Sequence, residues 1–87
     1  MEKVRYMISD AAKNVKVEAH VLRYWEEELK LPVRRNEMGH RFYTEEDIKL
    51  FQRIKDLKDQ GLQLKAIRNL LAREREQEGQ KEGQELL

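Results

Sequence analysis

The chain has 87 residues, of which 40% are charged and 39% hydrophobic, and it contains no cysteine. This length suits one small domain, and the lack of cysteine excludes a disulfide framework and a thiolate metal or redox site. The longest apolar runs have three residues. A transmembrane helix needs roughly 20 and a signal peptide about 7, so we expect a cytosolic protein without membrane contact.

The charges are distributed unevenly. Residues 1–72 carry 15 Lys and Arg against 12 Asp and Glu, a net charge of +3, whereas residues 73–87 carry three basic and five acidic side chains, a net charge of −2. Because residues 73–87 have no apolar side chain before Leu86, we expect an acidic tail or linker there, either disordered or a frayed helix extension. Residues 1–72 are expected to form the folded domain.

Two helices are predicted first. Ser9 is the expected N-cap of a short helix that ends in a tight connection over residues 14–18. A second helix is expected over residues 19–29, where one stripe at helical spacing is apolar and should face the core: Val21, Leu22, Trp25 and Leu29. The opposite face carries small, basic and aromatic side chains that can approach DNA: Ala19, His20, Arg23, Tyr24 and Glu27. An ordinary surface pair between Arg23 and Glu27 is the alternative interpretation.

A hairpin and two more helices follow. Pro32 ends the helical region, and residues 33–35 and 40–43 predict two short strands around a turn over residues 36–39. Residues 44–47 (TEED) resemble a capping box before a third helix that stops at Gly61. A fourth helix is expected over about residues 64–72. The fold class is therefore mainly α, in the order helix, helix, hairpin, helix, helix.

The hairpin is basic. Its basic side chains could hold a phosphate backbone while the second helix enters a groove: Arg34, Arg35, His40 and Arg41. A solvated hairpin is the alternative, favoured by Glu37 and by the three consecutive glutamates at 26–28. Glu27 would face the DNA unless it holds a wing arginine in place.

These segments resemble a known family. Residues 17–26 (VEAHVLRYWE), 35–43 (RNEMGHRFY) and 46–48 (EDI) are similar to the DNA-binding domain of MerR-family transcription regulators, and the resemblance covers residues 6–72. It implies a winged helix-turn-helix domain, dimeric binding to palindromic DNA and twisting of the promoter. It also implies that the full-length protein forms a homodimer through a long helix after residue 72, and we expect that this helix is not encoded in these residues.

The resemblance assigns roles by position. It implies that Arg23 and Tyr24 contact DNA, that Ala19 and His20 lie nearest the bases, and that Arg35 and Arg41 hold phosphates. Tyr43 is expected in the core at the base of the wing, with a DNA contact as the alternative.

Three positions depart from the family pattern. Lys16 stands where the family has glycine, which costs about 1 kcal/mol if the backbone is left-handed, unless Asn14 re-forms the turn. Glu18 replaces a hydroxyl cap and should cap less well. Trp25 replaces a tyrosine and should add to the core.

Other functions remain open at this point. Residues 31–40 are also similar to a chromosome-anchoring branch of the superfamily, and the glutamates leave room for a protein-interaction module without DNA binding. An enzyme is not expected, because Ser9 and Thr44 are better explained as caps. No metal or cofactor is expected either, because His20 and His40 lie on different elements without a third ligand.

Overall fold

The computed structural model describes the backbone of residues 5–85 and the side chains of residues 5–76. It has four helices and one two-stranded sheet: α1 (Ile8–Val15), α2 (Ala19–Glu28), β1 (Arg34–Arg35), β2 (Arg41–Phe42), α3 (Glu45–Asp59) and α4 (Leu64–Glu85). The predicted order and the mainly α winged helix-turn-helix class are confirmed. Residues 1–4 and the Leu86–Leu87 pair lie outside the described residues.

The predicted N-cap of α1 is wrong. The helix begins at Ile8, its N-cap is Met7, and no side chain caps it. The physical reason is Tyr6, the residue before the N-cap. It forms an isolated antiparallel bridge with Tyr43 through two backbone hydrogen bonds of 2.8 and 2.7 Å. This bridge fixes the entry of the chain, so the first turn starts before Ser9.

The turn between α1 and α2 has the strained backbone expected from its sequence. Lys16 is left-handed, with φ 66° and ψ 45°, and its amide bonds the carbonyls of Ala12 and Lys13. Asn14 does not re-form the turn, since its side-chain amide donates to the Asp10 carbonyl inside α1. A non-glycine residue therefore occupies the left-handed position at a cost of about 1 kcal/mol.

Helix α2 is close to its predicted span. Glu18 is the N-cap without a side-chain cap bond, as expected, and Leu29 is the C-cap, so the helix ends one residue early. The predicted core stripe is confirmed for Leu22, Trp25 and Leu29, while Val21 is half-buried. Lys30 follows with φ 53°, and this left-handed residue ends the helix before Pro32.

The wing is a short antiparallel hairpin. Arg34 lies opposite Phe42 and Arg35 opposite Arg41. The turn is built by Asn36, whose Oδ1 accepts the amides of Met38 and His40 at 2.9 and 3.0 Å. The strands are shorter than predicted, partly because Tyr43 pairs with Tyr6 instead of continuing along β1.

Helix α3 begins with the predicted capping box. Thr44 Oγ1 accepts from the Asp47 amide at 3.3 Å, and Asp47 Oδ2 accepts from the Thr44 amide at 3.0 Å. The helix ends before Gly61, whose φ of 98° is the conformation that favours glycine. The predicted start and stop are thus confirmed.

Helix α4 continues from Leu64 to Glu85, well past the expected end at residue 72. Of the two alternatives for the acidic tail, the helix extension is the one observed over residues 73–85. The first turn of this extension is held to the body by an ion pair between Arg53 and Glu74. The division into a domain over 1–72 and a tail over 73–87 stays a prediction.

The core joins all four helices and the wing. Its buried members are contributed by α1, α2 and its C-cap, the wing base, α3 and α4: Ala11, Ala12, Val15, Leu22, Trp25, Leu29, Tyr43, Ile48, Phe51, Ile54 and Ile67. Phe51 is central, with its ring 5.7 Å from Tyr43 and 6.4 Å from Trp25. This packing fixes α2 and the wing on one side of the molecule.

Candidate nucleic-acid interface

The outward face of α2 carries most of the side chains that the sequence placed there. His20, Arg23, Tyr24 and Glu27 are exposed, and Tyr24 presents 53% of its surface to solvent. Ala19 differs, because it is half-buried and packs against the core. The helix therefore presents an imidazole, a guanidinium and a phenol to any surface that approaches it.

A cleft of about 420 Å³ separates this face from the wing. Its lining joins the start of α1, the middle of α2 and both wing strands: Met7, Ile8, Arg23, Arg35, Gly39, His40 and Arg41. Four of the eight predicted site residues meet there, three arginines and one histidine. Among the residues that the structure describes, no acidic side chain lines the cleft, so it is a basic recess suited to an anionic backbone.

Within the cleft, the hairpin register sets two like charges directly opposite each other. Arg35 and Arg41 are cross-strand neighbours, an arrangement that destabilises a hairpin unless the charges are compensated. Arg35 Nη1 donates to the Gly39 carbonyl at 2.9 Å, which holds the guanidinium against its own turn.

Arg41 is compensated from α2. Its Nε lies 3.7 Å from Glu26 Oε2, and Glu26 is only 3% exposed. The other oxygen, Glu26 Oε1, accepts a 2.6 Å hydrogen bond from the Tyr43 hydroxyl. The sequence suggested Glu27 for this task, and that expectation is wrong: Glu27 points to solvent and its neighbour Glu26 faces the wing.

Tyr43 lies in the core as expected, with 3% exposure. Burial raises the pKa of its phenol well above 10.0, and the hydrogen bond to Glu26 and the charge of Glu26 raise it further. The phenol therefore stays protonated and keeps donating to Glu26.

Arg34 behaves differently from its neighbour. Its Nε lies 3.3 Å from Asp47 Oδ2, the same oxygen that caps α3, and Arg34 does not line the cleft. The pair is partly exposed, so its contribution to stability is small. The sequence grouped all four basic side chains of the wing, whereas the fold pairs Arg34 with α3 and places the other three together.

Two residues near the interface were given no role by the sequence. The Arg5 guanidinium lies 4.7 Å from the centre of the Phe42 ring, which is a cation–π contact with β2. The two residues lie far apart in sequence, so no local pattern predicts this contact. Glu26 did carry a signal, because on a helical wheel it lies about 40° from Leu22, at the border of the buried stripe.

No group of three or more metal-ligating side chains occurs within the described residues. None of the helices in residues 5–85 has the length and hydropathy that spanning a bilayer requires.

Comparison with known proteins places this geometry in a family. Residues 6–74 match the model of the MerR HTH family regulatory proteins. An uncharacterized HTH-type transcriptional regulator, YyaN of Bacillus subtilis strain 168, is 41% identical over 63 residues, which span 71% of this chain and 46% of that protein. The chromosome-anchoring protein RacA of Bacillus licheniformis is 34% identical over 59 residues, spanning 68% of this chain and 32% of RacA.

A solved structure is similar along the same region. HiNmlR, a MerR family regulator lacking the sensor domain and crystallised bound to promoter DNA, superposes with a TM-score of 0.72 at 32% identity, covering 77% of this chain and 52% of that one. The chain thus spans about half the length, or less, of these relatives. Because the family model covers most of the sequence and the fold agrees, the chain belongs to the MerR family of helix-turn-helix regulatory proteins.

Proposed function

We propose that this chain binds double-stranded DNA in a sequence-specific manner, as the DNA-binding domain of a bacterial transcription regulator. The observation that carries the proposal is the basic cleft, in which Arg23 of α2 faces three basic side chains of the wing and the described lining residues include no acidic side chain. The promoter-bound relative HiNmlR shares this fold and supports the same partner here.

Two elements divide the work in this proposal. The exposed face of α2 enters the major groove, where His20 approaches base edges and Arg23 and Tyr24 contact bases or phosphates. Ala19 is half-buried, so its part is to let the start of the helix come close to the bases. The wing lies on the phosphate backbone. Its basic side chains contribute affinity more than sequence selection: Arg34, Arg35, His40 and Arg41. Such a protein acts at the nucleoid.

A homodimer of the full-length protein on a palindromic site is part of the same proposal. One α2 helix covers only a few base pairs, and a two-fold dimer doubles the contacts at two half-sites one helical turn apart. The helical continuation of α4 through Glu85 provides a rigid exit from the domain toward such an interface.

Fluorescence anisotropy with a labelled random-sequence duplex pool, followed by sequencing of the bound fraction, tests the proposal. We expect binding that weakens steeply with salt and enrichment of a spaced palindrome. Absence of binding at low salt would overturn the proposal and favour a protein-interaction module.

A second candidate, an architectural or chromosome-anchoring DNA binder, is favoured by the 34% identity to RacA. It predicts the same salt dependence with a small specificity ratio. Salt-sensitive binding without any enriched sequence would select this candidate, whereas one sharp palindrome would exclude it.

A further inference from the structure

We propose that Glu26 is a positioning residue, whose buried carboxylate fixes the Arg41 guanidinium and so sets the geometry of the wing relative to α2. The inference rests on the proposed DNA binding and deepens it. It assigns a part in DNA recognition to a side chain that is 3% exposed and has little surface for touching DNA itself.

The first argument is the cost of placing a carboxylate there. A buried charge is expensive unless it is paired and fully hydrogen-bonded. Glu26 Oε1 has one partner, Tyr43, but Oε2 has no hydrogen bond, and neither does the facing Arg41 Nε. Replacing a buried ion pair by well-packed apolar residues is often neutral or stabilising. The carboxylate is therefore better explained by what it does to Arg41 than by stability.

The second argument is that Arg41 needs an external restraint. It lies opposite Arg35 in the hairpin, and the repulsion between the two guanidinium groups drives them apart. Arg35 is restrained by its own turn through Gly39. Among the described residues, the carboxylate within 4 Å of Arg41 is that of Glu26, so Glu26 supplies the restraint that the wing itself lacks.

The third argument concerns which parts are connected. Glu26 lies on the helix proposed to enter the groove, Arg41 on β2 and Tyr43 at the wing base. The 2.6 Å hydrogen bond from the Tyr43 hydroxyl sets the orientation of the Glu26 carboxylate. Because Glu26 Oε2 lies 3.7 Å from Arg41 Nε, this orientation also sets the position of the Arg41 guanidinium. A base-reading helix and a phosphate-holding wing must keep a fixed spacing, and supported side chains hold such geometry within about 0.5 Å.

A charge-matched pair of variants tests the inference. Glu26→Gln and Glu27→Gln each remove one negative charge from α2, at adjacent buried and exposed positions. Loss of repulsion alone makes DNA binding slightly tighter in both. If Glu26 positions Arg41, Glu26→Gln weakens binding to a random-sequence duplex about fivefold, whereas Glu27→Gln tightens it by no more than about threefold. Opposite signs from equal charge changes are the expected result.

The Arg41→Ala background separates positioning from general structural damage. There Glu26→Gln has no guanidinium to misplace, so it is expected to behave like Glu27→Gln. Equal weakening by Glu26→Gln in both backgrounds would overturn the inference, because the effect would then not pass through Arg41. Equal behaviour of Glu26→Gln and Glu27→Gln in the unaltered background would overturn it as well.

A measurement without DNA keeps this test independent of the proposed function. In ¹⁵N NMR spectra, the Arg41 Nε–H group is expected to be rigid in the parent and more mobile in Glu26→Gln, with Arg53 Nε–H as an internal reference. If Glu26→Gln does not fold, Glu26→Asp keeps the charge and withdraws it from Arg41 by one methylene, and the same loss of rigidity is expected. An unchanged Arg41 signal would overturn the positioning role, whereas absence of DNA binding by the parent chain would overturn the proposed function.

Discussion

The two sides of this small domain use arginine in different ways. On the α2–wing side, Arg23, Arg35 and Arg41 line a cleft whose described lining includes no acidic side chain. On the α3–α4 side, a groove of about 390 Å³ is lined by leucines and basic residues, but Glu74 is among them and pairs with Arg53. Both sides have a carboxylate, and its position makes the difference: Glu26 is buried behind Arg41 and leaves the cleft surface basic, whereas Glu74 lines the groove itself.

The same contrast recurs between adjacent residues of the wing. Arg34 turns to Asp47 on α3, whereas Arg35 turns into the cleft, although both occupy β1. Alternation along a strand sends neighbouring side chains to opposite faces. The two arginines are neighbours in sequence, but the pleat of the strand separates them: Arg34 pairs with α3, and Arg35 faces the cleft.

The largest expected effect comes from removing one arginine on each side of the domain and comparing the two variants. Arg23→Ala removes a charged contact to DNA and is expected to weaken binding about 10- to 100-fold, with little change in thermal stability because Arg23 is exposed. Arg53→Ala, the matched control on α3, loses a pair with Glu74 and should leave DNA affinity nearly unchanged. Anisotropy titrations of both variants, alongside thermal unfolding, measure this. Parent-like binding by Arg23→Ala would invalidate the assignment of α2 as the recognition helix.

A smaller effect is expected when the comparison is drawn within β1. Arg35→Ala should weaken binding about tenfold and lower the slope of log affinity against log salt by about 1. Arg34→Ala should change binding less, because Asp47 already neutralises that side chain. Titrations at three salt concentrations distinguish the two variants. A larger loss for Arg34→Ala would contradict the division of the wing cations.

Substitutions in the α1–α2 turn should affect stability alone. Lys16→Gly relieves the left-handed strain at φ 66° and is expected to raise the free energy of unfolding by about 0.5–1 kcal/mol. Lys13→Gly removes the same charge from within α1 and should lower it by about 1 kcal/mol. Urea unfolding measures both. If both variants were destabilised, the strain at Lys16 would be too small to matter.

The smallest expected effect is a pH dependence of the free energy of unfolding, caused by Tyr43 at the base of the wing. Since burial raises the pKa of Tyr43 above its ordinary value of 10.0, the phenol contributes stability that is fully present below pH 10 and is lost as the pH rises further. Tyr43→Phe should therefore be less stable near neutral pH, with a gap to the parent that narrows above pH 10. Urea unfolding between pH 7 and 11 follows this gap. A constant gap would show that the phenol does not lose its proton differently in the folded and unfolded chains.

Much of the fold was predictable because the signals were local. The capping box at Thr44 and Asp47, the stop at Gly61 and the apolar stripe through Leu22 and Trp25 each depend on residues within a few positions of one another. The same holds for the left-handed Lys16, where the departure from the family glycine marked the strain. The start of α1 was mispredicted at Ser9 because a long-range bridge between Tyr6 and Tyr43 decides it.

The candidate site was predictable as a set of side chains but not as an arrangement. The exposed face of α2 and the basic wing followed from periodicity and from the family resemblance. The packing of the hairpin on α2 decides which basic side chains of the wing line the cleft. It also decides which of the three consecutive glutamates pairs with Arg41. Glu26 and Glu27 have the same chemistry and adjacent positions, so a rotation of about 100° around the helix was the only difference between them.

The sequence by itself determined the class of this protein: the order of its elements, the amphipathic division of α2, the basic wing and the family to which these belong. Only the tertiary structure decided the pairing of Arg34 with Asp47, the burial of Glu26 and the meeting of Arg23 with Arg35, His40 and Arg41. The physical reason is that helix periodicity and capping act over a few residues, whereas charge compensation acts through space between elements that packing brings together.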